Sequence, residues 1–538
     1  MRTRRIKSDQ LPVEHAFYWG SKDWVELDTT ETGKHRPRRA IHLCEAGSGV
    51  HFGVHDTSIE TAFRGILERI FLVKGLDGYV RCPKPVVGVF KRLNNFTRKL
   101  VRNVPSTATW TYQQFVDSYT GRKHNVYDRA VDSLLTRGVR KSDSYMSTFV
   151  KAEKLNLSAK PDPTPRVIQP RSAVFNAAIG VFIKPMEAPI YHGIADIYGE
   201  PTVFKGMNAY QQGKLMAKKW GRFASPVAVG IDASRFDQHV SRECLEWEHS
   251  VYRALNGDPE FAHYLSWQLV NRGFVRAHDG TIKYSVEGSR MSGDMNTALG
   301  NCLIMCALVW EYMHSLDITV DDFALANNGD DCVVIFEDYN LTKFMDKLEG
   351  YFLDYGFEMT VEAPVYELEG IEFCQCHPVY TPDGYIMVRN ENVARSKDLI
   401  TFKYAECSTR AGWDLLRRAI SEGGLSLAGN IPVMNEFYAA LGRGAENACV
   451  NLRNHRSSER KLRGNRYDST YQSGVTGFDM LAVGMSPKFE TPCDETRLSF
   501  WRAFGLSPDE QEALEQEYRN ITPTWDTPAP GIPGKLTI

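Results

Sequence analysis

The chain is nearly without net charge: 64 lysines and arginines stand against 66 aspartates and glutamates, a formal balance of −2. A basic coat over the whole surface is therefore excluded, and any contact with nucleic acid has to come from local patches. No stretch reaches the ~18 uninterrupted apolar residues of a membrane span. The nearest run, Thr297 to Trp310, is short and broken by Asn301, so it reads as a core helix and no transmembrane segment is expected. The basic start, MRTRRIKSDQ, is not followed by an apolar stretch, which excludes a secretory signal. The 11 cysteines are odd in number and scattered, with Cys302 and Cys306 inside an apolar run, so a reducing compartment fits better than a disulfide framework. Internal repeats and long low-complexity segments are lacking. Gly206 and Gly213-Lys214 are wrongly spaced for a phosphate-binding loop, and H-E-x-x-H and G-x-S-x-G are absent, which excludes helicase and protease modules of those kinds.

What is present is an ordinary globular composition, 538 residues with 43% hydrophobic and 24% charged. At about 150 residues per domain the length suggests three to four domains or subdomains. Residues 1–40 are polar and poorly periodic and read as a loose arm. Three segments concentrate positive charge: 91–103; 137–171, which includes Lys151, Lys154, Arg166 and Arg171; and 453–466, with Arg453, Arg456, Arg460, Lys461 and Arg463. One such patch is an ordinary solvated face, but three on a neutral protein suggest a surface that gathers phosphates. The last residues, 521–538, are Pro-rich and read as a flexible tail.

The centre is mixed α/β. Val227-Ala-Val-Gly-Ile231 is a buried-strand run ending at Asp232, and Met295 to Leu316 has a helical pattern. Two apolar runs, 323–326 and 332–336, flank Asn327-Asn-Gly-Asp-Asp331, a strong hairpin signal. Leu341, Phe344, Met345, Leu348 and Phe352 recur at helical spacing, and a strand over 357–361 follows Gly356. Strand, helix, hairpin, helix, strand is an order that suits an antiparallel sheet backed by helices.

Asp232 ends a strand, and Asp330 and Asp331 sit at a hairpin tip, so their carboxylates can converge. Gathering them is costly unless cations neutralise them, and hard oxygen ligands suit Mg²⁺ or Mn²⁺. Two such ions about 4 Å apart can clamp the attacking and leaving oxygens of a phosphoryl transfer. Taken alone the string is simply a good turn. The segment between the two points adds weight: Glu287-Gly-Ser-Arg-Met-Ser-Gly293 is a small-residue loop entering a helix on which Thr297 and Asn301 share one face.

At this point the pattern resembles a known family. Asp232-Ala-Ser-Arg-Phe-Asp237, then Ser292-Gly-x-x-x-Thr297-x-x-x-Asn301, then Gly329-Asp330-Asp331 resemble motifs A, B and C of viral RNA-dependent RNA polymerases. Lys151-Ala-Glu-Lys154 and Pro165-Arg-Val-Ile-Gln-Pro-Arg171 resemble motif F, 341–361 motif D, and Glu372-Phe-Cys-Gln with the turn at Pro382-Asp-Gly384 motif E. The wording is similar to tombusvirus-like replicases, and the likeness runs over roughly residues 40–520.

The resemblance implies an α+β right hand of fingers, palm and thumb with an RRM-like antiparallel palm sheet. It implies fingers mainly over 41–225, a palm over 226–388 with a fingers insertion near 245–285, and a thumb over 389–520. It makes Asp232 and Asp330 the main ligands of two Mg²⁺ ions, with Mn²⁺ as a substitute, and Asp331 a weaker ligand. Asp237 and Asn301 would read the ribose 2′-hydroxyl, supported by Ser292 and Thr297. Lys151, Lys154 and Arg166 would face the triphosphate or template. Arg171 would join them or form a structural salt bridge, two readings left open. The implied partners are RNA template and product, NTPs, and a viral membrane-anchoring replication protein. The implied setting is the host cytoplasm, at membrane-bound replication complexes. Lys343 and Lys347 leave the motif D general acid open, and Cys374-Gln-Cys376-His377 has too few ligands for a structural zinc site. A reverse transcriptase is disfavoured by Asp237 and Asn301, because a dNTP site would block the 2′-hydroxyl. A non-catalytic RNA-binding subunit is disfavoured by the clustered carboxylates, which repel phosphates.

Overall fold

A computed structural model of the chain describes residues 16–525, apart from 31–37, 39, 45, 403–406, 408 and 447–485. Helices and strands are mixed throughout, as expected of an α+β protein. The central element is a four-stranded antiparallel sheet made of β1 (Pro226–Ala233), β2 (Phe323–Asn328), β3 (Asp331–Glu337) and β4 (Met359–Val361), in spatial order β2-β3-β1-β4. Helix α1 (Thr297–Ser315) enters between β1 and β2, and α2 (Leu341–Asp354) between β3 and β4.

Both faces of this sheet are covered. Val227, Val229, Ile231, Leu325, Val334 and Phe336 point to the α1 and α2 side, into a core with Leu303, Phe344 and Phe352. Ala228, Ala324, Ala326, Val333 and Ile335 point the other way, against Phe204, Met216, Phe373 and Met387. Burial on both sides is why these strands read as continuous apolar runs rather than alternating ones. Helix α1 is largely apolar for the same reason: twelve successive residues, Leu299 to Trp310, are buried, and Cys302 to Ala307 are fully enclosed.

A second sheet has five strands, in the order Ala16–Tyr18, Trp24–Thr29, Gly280–Glu287, Val270–Ala277 and Met146–Ser147. The arm expected over 1–40 is therefore wrong for 16–29. Phe17 and Trp19 stack on each other, Trp19 stacks on Phe71, and Val25 is fully buried, so aromatic packing fixes this short, polar-looking hairpin. Residues 1–15 lie outside the described residues.

The C-terminal helices Arg410–Ala428, Met434–Gly442, Asp494–Phe504 and Pro508–Asn520 share a separate core with the hairpin Cys376–Val379 and Ile386–Arg389. The start of the expected flexible tail is docked: Arg443 donates to the Ile521 carbonyl at 2.6 Å, and Trp525 packs near Trp413. Residues 526–538 lie outside the described residues.

The helix Ala173–Tyr198 is long and apolar enough to cross a membrane by length and composition, a feature the sequence reading passed over for Thr297–Trp310. Its apolar side chains, Phe175, Ile179, Ile183, Met186, Ile190 and Ile194 among them, are buried in the main core. Pro185 cannot donate to the Val181 carbonyl, which accepts instead from the Trp110 amide at 2.9 Å. Cys302, Cys306, Cys332, Cys374 and Cys376 are free thiols.

Candidate active site

The register of the central sheet places the first pair of carboxylates. β1 pairs with β3 from Pro226↔Glu337 to Ile231↔Cys332, so Asp232 and Asp331 are the next residues along the two strands, and Asp232 pairs with Thr360 of β4. Gly329 and Asp330 are the two residues between β2 and β3, with Gly329 at φ +91°, a conformation that favours glycine. The turn is held from within: the buried Asn327 side chain donates to the Gly329 carbonyl at 2.7 Å. A segment outside the sheet braces it too, since the Phe204 amide donates to the Asn327 carbonyl at 2.8 Å.

The carboxylates feel one another. Asp232 is exposed at the surface but partly desolvated by the protein around it, which pushes it up to about 6, and the charges of Asp330 and Asp331 add to the shift. Asp331 is also raised, first by burial and then by Asp330, while the Cys374 thiol and the Lys205 ammonium oppose it. Glu362 belongs to the same field: it is raised by burial and by Glu372, Asp232 and Asp331. Among the described residues no three His, Cys, Asp or Glu side chains are already drawn into a closed metal site. Like charges oppose that convergence, and a dication bound by hard carboxylate oxygens would remove the penalty. The donor set therefore fits Mg²⁺ or Mn²⁺.

Beside the aspartates lies a buried polar relay. Asn301, on the second turn of α1, donates through Nδ2 to Asp237 Oδ1 at 2.9 Å. Arg290 Nε donates to Asn301 Oδ1 at 3.1 Å. A guanidinium can only donate, so the Asn301 amide must turn its NH₂ toward Asp237. Arg290 in turn is ion-paired with Glu248, both fully buried. Glu248 also accepts from Tyr252 at 2.7 Å and Asn296 at 2.8 Å. Gly300 makes room for this: a Cβ there would lie 2.3 Å from Glu248 Oε1 and 2.4 Å from the Arg290 guanidinium. Burial pushes Asp237 up to about 6 while its bond to Asn301 opposes the shift, and the charges of Asp330 and Arg166 both reach it.

The other expected site residues divide. Ser292 Oγ accepts from the Gln169 amide at 3.3 Å, tying its loop to the end of the strand Val167–Ile168, and Thr297 Oγ1 donates to the Met291 and Asp294 carbonyls at 2.9 and 3.1 Å. Both brace the loop backbone and neither bonds to Asp237 or Asn301. Lys151 and Arg166 share a partner: Nζ and a guanidinium nitrogen lie 3.1 and 3.3 Å from the same oxygen of Glu153. Lys154 does not join them. Its ammonium donates to the Lys397 carbonyl at 2.7 Å, and burial there lowers it to about 8. Arg171 resolves to the structural salt bridge: it pairs with buried Asp294 and donates to the Ser144 carbonyl and Asn271, both at 2.6 Å, so its donors are spent inside the protein. Arg453, Arg456, Arg460, Lys461 and Arg463 lie outside the described residues.

Several site residues carried no local signal in the sequence. Glu248, Arg290 and Asn296 meet only through the fold. Lys205 reaches the hairpin from the preceding segment, 3.4 Å from the Asn328 carbonyl. Cys374 and Gln375 both have positive φ in a tight turn closed by Phe373 and Cys376, and this sets the Cys374 thiol 3.0 Å from Asn328 Nδ2. The string Glu372-Phe-Cys-Gln was noted, but nothing in it marks Cys374 as a neighbour of Asp331.

A sheet that carries a carboxylate-bearing hairpin, with a buried Asp–Asn pair alongside, defines the candidate site of an α+β protein. The model of the viral RNA-dependent RNA polymerase family matches residues 27–526, and the chain belongs to that family. It is 43% identical to the RNA-directed RNA polymerase of Tobacco necrosis virus (strain A) over 90% of this chain and 64% of that protein. Against the proteins of the same name from Turnip crinkle virus and Cymbidium ringspot virus it is 40% and 42% identical, over 90% and 89% of this chain and 60% and 56% of theirs. The chain thus spans about half to two thirds of the length of the curated relatives it matches.

Proposed function

We propose that this chain synthesises RNA on an RNA template by nucleotidyl transfer from NTPs, and so replicates a positive-strand viral genome. The observation that carries the reading is the register that brings Asp232 and Asp331 to the same end of two paired strands, with Asp330 at the adjoining turn and the Asp237–Asn301 pair within reach of its charge. Asp232 and Asp330 would hold two Mg²⁺ ions, replaceable by Mn²⁺, with Asp331 as the weaker ligand. The chemistry such ions supply is a lowered pKa for the attacking 3′-hydroxyl and neutralisation of the triphosphate. Asp237 has one carboxylate oxygen engaged by Asn301 and one left to accept from a ribose 2′-hydroxyl, a contact that a deoxyribose cannot make. Arg166 and Lys151 would offset charge developing on the departing pyrophosphate.

The β1-α1-β2-β3-α2-β4 order supports reading this sheet as an RRM-like palm. The hairpin 270–287, inserted between β1 and α1, joins strands from 16–29 and 146–147, as fingers would. The separate C-terminal core over 389–520 fits a thumb. RNA template and product are the expected ligands. A viral membrane-anchoring replication protein is the expected partner, placing the enzyme at membrane-bound complexes in the host cytoplasm. The test is single-stranded RNA with NTPs and Mg²⁺, with and without primer. A labelled, ribonuclease-sensitive complementary product is the expected result; no incorporation under either condition would contradict the proposal.

A further inference from the structure

We propose that Glu153 is a built-in stand-in for the nucleotide triphosphate: its carboxylate pairs with two cations, Lys151 and Arg166, near a third, Arg69, and exchanges with the polyphosphate for this cradle. The inference rests on the polymerase reading above for the identity of the polyphosphate, and goes beyond it in naming an internal competitor and a third cation.

The cradle begins with strand register. Phe149↔Ile168 and Val150↔Val167 pair, and the Lys151 amide donates to the Arg166 carbonyl at 2.8 Å, so Lys151 and Arg166 are the next cross-strand neighbours. Like charges so placed repel. Glu153 relieves the repulsion with one atom, Oε2, at 3.1 Å from Lys151 and 3.3 Å from Arg166. Its other oxygen, Oε1, is buried and has no hydrogen-bond partner. Arg69, in the helical turn Leu67–Phe71, shows the complementary deficit: its Nε is buried and unpartnered.

Burial lowers the Arg69 guanidinium to about 10, the charges of Arg235 and Arg166 push the same way, and Glu153 and Glu68 oppose them. Glu68 is committed elsewhere, accepting from Arg64 at 2.7 Å. One carboxylate oxygen thus serves both Lys151 and Arg166, while the nearby Arg69 Nε keeps no partner. A buried donor and a buried acceptor left unmade each cost free energy that a ligand rich in acceptor oxygens would recover at the donors. The cradle is also near the ribose pair, close enough for the Arg166 charge to be felt at Asp237.

The test uses the full chain and inorganic tripolyphosphate as the binding probe, followed by KM and kcat for NTP incorporation. Glu153→Gln keeps the shape and removes the competing charge. It should tighten tripolyphosphate by roughly three- to tenfold and lower KM for NTP without raising kcat. Glu153→Ala should shift binding in the same direction, and Arg69→Gln in the opposite one. If Glu153 merely positions Arg166, both Glu153 variants will bind tripolyphosphate as weakly as the wild type or more weakly, with melting temperature retained, and the proposal is overturned. Binding is read without turnover. A chain that shows these shifts yet never incorporates nucleotides contradicts only the polymerase reading, and one that incorporates them without the shifts contradicts only this inference.

Discussion

At the scale of single residues, the account turns on groups whose ionisation the fold has altered. The Asp237–Asn301 bond leaves one carboxylate oxygen to recognise a hydroxyl, so Asp237→Ala and Asn301→Ala should each narrow the preference for NTP over dNTP by about 1–3 kcal/mol. The ratio of kcat/KM for ATP and dATP measures this, and an unchanged ratio in both variants would mean that the ribose is read elsewhere. Asp232 carries a pH prediction. Its folded pKa, about 6, lies above the ordinary value of 3.8, so the folded state binds this proton more tightly than the unfolded chain does. Its contribution to stability is therefore fully present below pH 4 and is lost as pH rises through 6. In the absence of divalent cations, Asp232→Asn should melt higher than wild type at pH 7.5, with the difference shrinking toward pH 4. A variant that melts lower at pH 7.5 would show that the carboxylate is not held against its preference.

At the scale of elements, the close approach of α1 to the Glu248–Arg290 ion pair is the most exacting contact. Gly300→Ala would drive a methyl group into both partners, at a cost of about 1–3 kcal/mol by overpacking. The same variant should weaken ribose discrimination, because Arg290 orients Asn301. Denaturant unfolding followed by the ATP/dATP comparison checks both halves. An unaltered midpoint would mean that the helix can move away freely.

The hairpin 323–337 and the helices α1 and α2 were legible in the sequence because their signals are local: Asn-Gly between apolar runs and apolar side chains at helical spacing. The aspartates were legible for the same reason. The relay behind Asn301 was not, since Glu248 and Arg290 are 42 residues apart and neither stands out in its own segment. Likewise, Lys154 and Arg171 look alike in sequence to Lys151 and Arg166. Only the neighbours Lys397 and Asp294 decide that two of these cations turn inward. The strands over 16–29 escaped notice because three and six residues of mixed polarity carry almost no period.

At the scale of the whole molecule, a near-neutral chain has to bind RNA through patches. The basic segment over 453–466 is the expected template contact. Neutralising Arg453, Arg456, Arg460, Lys461 and Arg463 should weaken RNA binding and flatten its dependence on salt, because fewer counterions are released. A wild-type salt slope would make them a solvated surface only. The one described helix long and apolar enough to span a membrane is a core helix. Expressed alone, this chain is expected to fractionate away from membranes and to move onto them with the other viral proteins. Carbonate-resistant attachment of the chain alone would contradict that.

The central claim is that Asp232 and Asp330 together make the site where nucleotides are joined. The most direct measurement is single-nucleotide incorporation on a primed RNA template with saturating NTP and Mg²⁺, comparing wild type with Asp232→Asn and Asp330→Asn at matched RNA occupancy. The account predicts loss of incorporation by several decades in both variants with RNA binding and melting behaviour retained, and a milder loss in Asp331→Asn that Mn²⁺ partly restores. Incorporation near the wild-type rate by either of the first two variants would contradict it.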